Sequence, residues 1–196
     1  MPKIVDHDAR RREIVDAIIR RIETAGFGSV SVRNVAGDLN VSPSAVRHYF
    51  PSSEEMLAFT LRTMRESQAA RLPPPLKDWD VRQAWLEALP LDDLRRREAA
   101  VWLSAMTASK SPVVQAVLDE VNADLDHLCT VTVAQLGCRE STATESKALR
   151  AFTDGLTLNA VADPQAFDSE AITVALDSYL GRLRQDFAQD ATRSGA

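Results

Sequence analysis

Apolar residues in this chain recur at spacings of three and four, and no stretch alternates apolar and polar residues as a half-buried strand would. Such a chain can bury its apolar surface only by packing helix on helix, so the predicted fold class is all-α. The helix ends are written as clearly as the periodicity. Ile14, Ile18, Ile22 and Ala25 share one face of a first helix over about 8–25, and Gly26 follows where a C-terminal cap belongs. A short helix over about 31–39 turns Val32, Val35, Ala36 and Leu39 inward. Asn40 stands in the next turn, and Asn accepts left-handed backbone better than most residues. Ser42 can cap a third helix that Pro43 opens and Phe50-Pro51 closes. Ser52-Ser53-Glu54-Glu55 offers a capping box to a long fourth helix over about 53–71.

Leu72-Pro73-Pro74-Pro75 interrupts the helices and reads as a loop within a second domain. Beyond it the pattern predicts helices at about 81–89, 92–109, 112–136, 142–162 and 169–188, about nine in all. Ser111-Pro112, Gly137, Thr142-x-x-Glu145 and Pro164 punctuate them, and the tail from Asp190 is expected to fray. The expected domains are residues 1–52 and 53–196, with the 53–71 helix connecting them.

At 45% hydrophobic and 26% charged the chain reads as globular, and its apolar runs are too short to cross a membrane. With no apolar leader after Met1, the expected location is the cytoplasm. Cys129 and Cys138 fit a reducing compartment and read as inert thiols. The net charge of −5 looks wrong for a nucleic-acid binder until it is divided. Residues 1–50 carry eight Lys/Arg against six Asp/Glu, a net +2; residues 51–196 carry fifteen against twenty-two, a net −7. A basic head on an acidic body suits a DNA-reading module joined to a domain that stays off DNA.

Residues 32–50 carry the motif. Two short helices joined by a tight turn are the mark of a DNA-reading helix-turn-helix. Val35, Ala36, Leu39, Val41, Val46 and Phe50 can fuse the pair, with Ala36 small where the helices cross. That leaves Pro43, Ser44, Ala45, Arg47 and His48 facing outward. Small side chains let a helix end sit deep in the major groove, while Arg47, His48 and Tyr49 can meet phosphates. Taken singly, Arg33 or Arg47 is an ordinary solvated residue; their joint placement on this motif gives them a role.

On these residues the chain resembles the TetR family of regulators. The resemblance runs over residues 10–57, through Gly26-Phe27, Val35-Ala36, Val41-Ser42, Phe50-Pro51-Ser52 and Glu55-Met56-Leu57. Residues 85–160 are similar to a betaine-regulator (BetI-like) ligand domain through Leu89-Pro90-Leu91-Asp92, Glu98–Leu103 and Asp154-Gly155-Leu156. The resemblance implies a repressor that leaves its operator when a small-molecule effector binds. It puts Arg33, Pro43, Ser44 and Ala45 at base edges and Arg47, His48 and Tyr49 at phosphates, with Ser42 counted in the same DNA-facing set. Three positions depart from the family pattern: Asn40 replaces a frequent Gly, Arg47 a usual Tyr, and Ser53 a frequent Lys that meets a phosphate. It further implies a homodimer on an inverted repeat, closed by a four-helix bundle of the last two helices of each chain. Leu176, Leu180, Leu183 and Phe187 form a stripe that could face the partner, beside Tyr179, with Leu156 and Asn159 on the neighbouring helix.

Phe59, Trp85, Trp102, Met106 and Phe152 are candidates to line an effector cavity, although each taken alone reads as ordinary core. Arg95-Arg96-Arg97 is expected to pair with nearby carboxylates, and Arg10-Arg11-Arg12 could be a solvated face or a phosphate-contacting arm. Asp124 and His127 have metal-compatible spacing but no third ligand nearby, so no metal and no cofactor is expected. There is no Gly-rich phosphate loop, no HExxH and no nucleophile elbow. An enzyme would need a site assembled from scattered helix residues. An architectural DNA binder would be small and basic throughout, unlike this acidic body.

Overall fold

The structure is a computed structural model describing residues 7–71, 81–138 and 142–193. The described residues form nine α-helices: α1 (His7–Ala25), α2 (Val32–Asp38), α3 (Pro43–Arg47), α4 (Ser53–Arg71), α5 (Val81–Ala88), α6 (Asp93–Ala108), α7 (Pro112–Gln135), α8 (Thr142–Ala162) and α9 (Ser169–Arg193). A short 3₁₀ turn, Phe27–Ser29, which the periodicity does not announce, joins α1 to α2. The proline run 72–75 lies outside the described residues, as does the very end of the tail. Helix α9 continues to Arg193 rather than stopping near 188. Helix α8 starts at Thr142 as expected, and the Thr142 hydroxyl lies 4.0 Å from the Cys138 sulfur.

The chain divides into two compact units, Met1–Ser67 with Ala100–Asp119, and Gln68–Ala99 with Glu120–Ala196. In the first, Ile14, Ile18, Val35, Val46, Met56 and Leu61 are buried at the centre with Val101, Val114 and Val117. Burial of so many branched and long apolar chains is what holds the short α2 and α3 in place, because helices this short are marginal alone.

In the second unit, Trp85, Leu89, Leu149, Ile172 and Leu176 form the centre. The Trp85 indole N–H donates to Thr132 Oγ1 at 2.9 Å, and that hydroxyl donates to Leu128 O at 2.7 Å, so the polar end of the largest buried side chain is satisfied. Arg150 ties α7 to α8, donating to Asp126 at 2.8 Å, to the Asn122 side chain at 2.8 Å and to Asp154 at 2.9 Å. Buried Glu98 accepts from Gln68 at 2.9 Å and from Arg71 at 2.6 and 3.1 Å. Arg95 pairs with Glu87 and Asp92, and Arg96 with Asp93, as the acidic surroundings predict. Burial pushes the Cys129 thiol up to about 11, so it stays protonated and unreactive near neutral pH.

The leucine stripe requires a correction. Leu156, Leu176, Leu180 and Leu183, expected to face a partner chain, are buried in the core of their own unit. Their spacing reports that one face of α9 is covered, and the cover comes from the same chain. Tyr179 and Phe187 pack half-buried at the edge of that core, and Asn159 is exposed with its amide donating to Gly155 O at 2.8 Å. Leu176→Ala should therefore weaken the fold itself by about 2–5 kcal/mol. Urea unfolding followed by circular dichroism checks this; an unchanged midpoint would return Leu176 to the surface.

Candidate nucleic-acid interface

The helix-turn-helix is built by caps and one unusual backbone position. Ser31 caps α2 by accepting from Asn34 N at 3.1 Å, and the Asn34 amide donates to Ser29 O at 2.8 Å. Ser42 caps α3 by accepting from Ala45 N at 3.2 Å, with Pro43 in the first turn, as the sequence predicts. Between the helices, Asn40 takes φ 53°, the left-handed conformation. That turn lets Val41 N donate to Ala36 O at 2.9 Å, closing the loop onto α2. Ala36 and Val46 are both 1% exposed, and a larger residue at 36 would push the helices apart.

Arg21 braces the pair from α1. Its guanidinium grips Asp38 through two bonds of 2.6 Å and reaches Asn34 O at 3.5 Å. The hydrogen bonds from Arg21 hold the Asp38 carboxyl below the usual carboxylate range. Asp38 is thus a structural partner on α2 and is spent on α1. The two residues are 17 apart and share no local pattern, so spacing in the sequence carries no signal for the clamp.

With those groups engaged, a defined set remains outward. Arg33, Ser42, Pro43, Ser44, Arg47 and His48 are exposed, and Ala45, Tyr49 and Ser53 are half-buried. Arg33 and Arg47 have no ion-pair partner among the described residues, whereas Arg10 pairs with Glu13 and Arg11 lies 4.0 Å from Asp8 and 5.8 Å from the Phe59 ring centroid. The Ser42 and Ser44 hydroxyls are 2.9 Å apart at the start of α3. Ser53 opens α4, and the cap of that helix is Ser52, accepting from Glu55 N at 3.1 Å. The result is a short helix whose first turn is small and polar and whose end is cationic and aromatic.

The five candidates for an effector cavity separate by unit. Phe59, Trp102 and Met106 belong to the first; Trp85 and Phe152 belong to the second. Phe59 packs on Phe50 with centroids 5.1 Å apart and lines a groove of about 340 Å³ with Arg11, Tyr49, Phe50, Glu55, Arg62 and Val113. Trp102 is half-buried and its indole N–H has no partner among the described residues, while Met106 is 48% exposed. Trp85 is core, and Phe152 stacks on Tyr179 at 4.1 Å.

A short capped helix presented by a helix-turn-helix, with free guanidinium groups beside it, defines the class as a DNA-binding protein. Residues 14–58 match the model of bacterial regulatory proteins of the tetR family, and residues 79–185 match that of the C-terminal domain of BetI-type transcriptional repressors. The chain is 31% identical to the HTH-type transcriptional regulator PksA of Bacillus subtilis over 88% of each chain. It is 27% identical to the HTH-type transcriptional regulator BetI of Burkholderia mallei, over 93% of this chain and 97% of that one. A transcriptional regulator from Rhodococcus sp. Rha1 shares the fold with a TM-score of 0.77 and 29% identity, covering 90% of this chain and 96% of that one. The chain belongs to the TetR family of transcriptional regulators, with a BetI-type C-terminal domain. It is, like these relatives, a DNA-binding transcriptional regulator.

The backbone at Asn40 gives a direct test of the turn. Asn40→Gly should be close to neutral, whereas Asn40→Val should cost about 1–2 kcal/mol, because a β-branched side chain is strained at this φ. Thermal unfolding of the two variants checks it; equal stability would mean that the turn places no demand on residue 40.

Proposed function

We propose that the protein is a homodimeric repressor that holds an inverted-repeat operator and releases it when a small molecule binds the C-terminal domain. Arg33 and the Ser42–Ala45 end of α3 read bases, while Arg47, His48, Tyr49 and Ser53 hold phosphates. The observation that carries this is the pairing pattern of the head. Arg21 is committed to Asp38, yet Arg33 and Arg47 are exposed without an ion-pair partner among the described residues, beside the capped start of α3. A helix entering the major groove shows its first turn to base edges, and its later residues diverge toward flanking phosphates. The protein works in the cytoplasm, where the chromosome is, and no helix among the described residues is long and apolar enough to cross a membrane.

The dimer face we propose is not the leucine stripe but the opposite side of the same helices. On α9, Ala171, Val174, Ser178, Gly181, Gln185 and Ala188 are exposed at alternating spacings of three and four. On α8, Ala148, Ala151, Leu158 and Ala162 are exposed in the same rhythm around Gly155. Val174 is 61% and Leu158 54% exposed in the single chain. A Cβ on Gly155 or Gly181 would meet nothing in its own chain, so close approach of another helix is the physical use for glycine there. Two heads held by such a bundle must stand about one turn of DNA apart, ~34–36 Å. An effector weakens DNA binding only by the difference in its affinity for the two states of the dimer.

Selection from a pool of randomised duplexes should return an inverted repeat, and a thermal-shift screen of metabolites should return the effector. Recovery of an asymmetric half-site alone would contradict the reading. On the selected duplex, Arg33→Ala should lose about 1–3 kcal/mol of discrimination and leave binding to scrambled DNA nearly unchanged. Arg47→Ala should weaken both and flatten the plot of log affinity against log salt by about 0.9 for each phosphate the dimer no longer neutralises. If Arg47→Ala alters sequence preference at an unchanged salt slope, the two roles are exchanged. Separately, Val174→Glu combined with Gly181→Glu should give the 21.5 kDa monomer by light scattering with helical content retained. A variant that stays dimeric would move the interface elsewhere.

A further inference from the structure

His7 lies 41 residues before His48, yet the fold brings their rings to 6.0 Å between centroids. Tyr49 closes the group, 5.6 Å from His7 and 5.2 Å from His48. Both imidazoles are exposed, and Tyr49 is half-buried against the head's core. The cluster joins the first residue of α1 to the end of α3, beside the exposed guanidinium of Arg47.

The charged groups around the cluster come from three elements. Helix α1 contributes Asp8, Arg10 and Arg11, with Asp8 4.0 Å from Arg11 and Arg10 paired with Glu13. The end of α3 contributes Arg47. Helix α4 contributes Glu55 and Arg62, which line one groove with Arg11 and Tyr49. Among the described residues cations outnumber carboxylates here, so the patch suits an anion. A DNA phosphate laid over the rings accepts their N–H groups and favours the charged imidazoles.

We propose that His7, His48 and Tyr49 form one backbone-phosphate site whose binding of DNA takes up protons. The proposal rests on the phosphate-contacting role given to His48 and Tyr49 above and adds His7, which no motif in the sequence singles out. Imidazole is the side chain whose charge changes between about pH 5 and 8. A group that gains a proton on binding makes affinity rise as pH falls. Uptake of one proton per dimer gives about tenfold per pH unit, by the same linkage that governs stability. The effect is independent of sequence, because it acts through phosphates.

The test is fluorescence anisotropy at constant ionic strength from about pH 8 to about pH 6, on the selected duplex and on a scrambled one. Affinity for both should rise at least about tenfold over that range. His7→Gln and His48→Gln should each reduce the rise, and the double variant should abolish it. His127→Gln, on α7 in the other unit, should leave it intact. Calorimetry in two buffers of different ionisation enthalpy should count the protons taken up, and circular dichroism confirms that the variants stay folded. A flat response with operator binding retained overturns this proposal alone. A response that survives in the double variant, or disappears with His127→Gln, overturns it too. Failure to bind any duplex at any pH removes it together with the reading head on which it rests.

Discussion

The packing of α2 against α3 is the constraint from which the rest of the reading head follows. Ala36 and Val46 are buried in one cluster with almost no exposure, and the backbone must turn from α2 into α3 in four residues. That turn is possible because Asn40 accepts a left-handed conformation and Val41 returns its N–H to Ala36. With the crossing fixed, Ser42 sits where its hydroxyl satisfies a free N–H of α3, and the first turn of that helix needs no bulky side chain to hold it. Small residues can then occupy the surface that must approach a groove.

Charge in the head is sorted by the same geometry. Arg21 is bound bidentately to Asp38, which is what a fork-shaped cation does when a carboxylate is in reach. Arg33 and Arg47 have no such carboxylate among the described residues and keep their hydrogen-bonding capacity for an external acceptor. In the rest of the chain carboxylates meet cations in pairs such as Arg71–Glu98, Arg82–Asp177 and Arg150–Asp126, and the acidic excess lies outside the reading head. A net charge of −5 is therefore compatible with a protein that binds a polyanion, because the sign that matters is local.

Helices α8 and α9 show how one apolar pattern can mislead. Leu176, Leu180 and Leu183 have the spacing of a partner-facing seam, and they close the protein's own core. The face left outward is mostly alanine, glycine and serine, with Leu158 and Val174 as its large apolar residues, and so sparse a pattern looks unremarkable in a sequence. Periodicity reports that a stripe is covered. It carries no information on whether the cover belongs to the same chain.

Local chemistry sufficed for the helix count, the proline and glycine stops, the Ser42 cap, the Asn40 turn and the outward set from Arg33 to Tyr49, since each depends on residues within one or two turns of helix. Residues distant in the chain were beyond its reach. The Arg21–Asp38 brace, the bond from Trp85 to Thr132, the allocation of the leucine stripe and the meeting of His7 with His48 all join positions that no periodicity relates. Caps, turns and amphipathic faces are encoded by near neighbours in the chain. Which buried face meets which, and which ionisable groups end up side by side, is decided only when the helices pack.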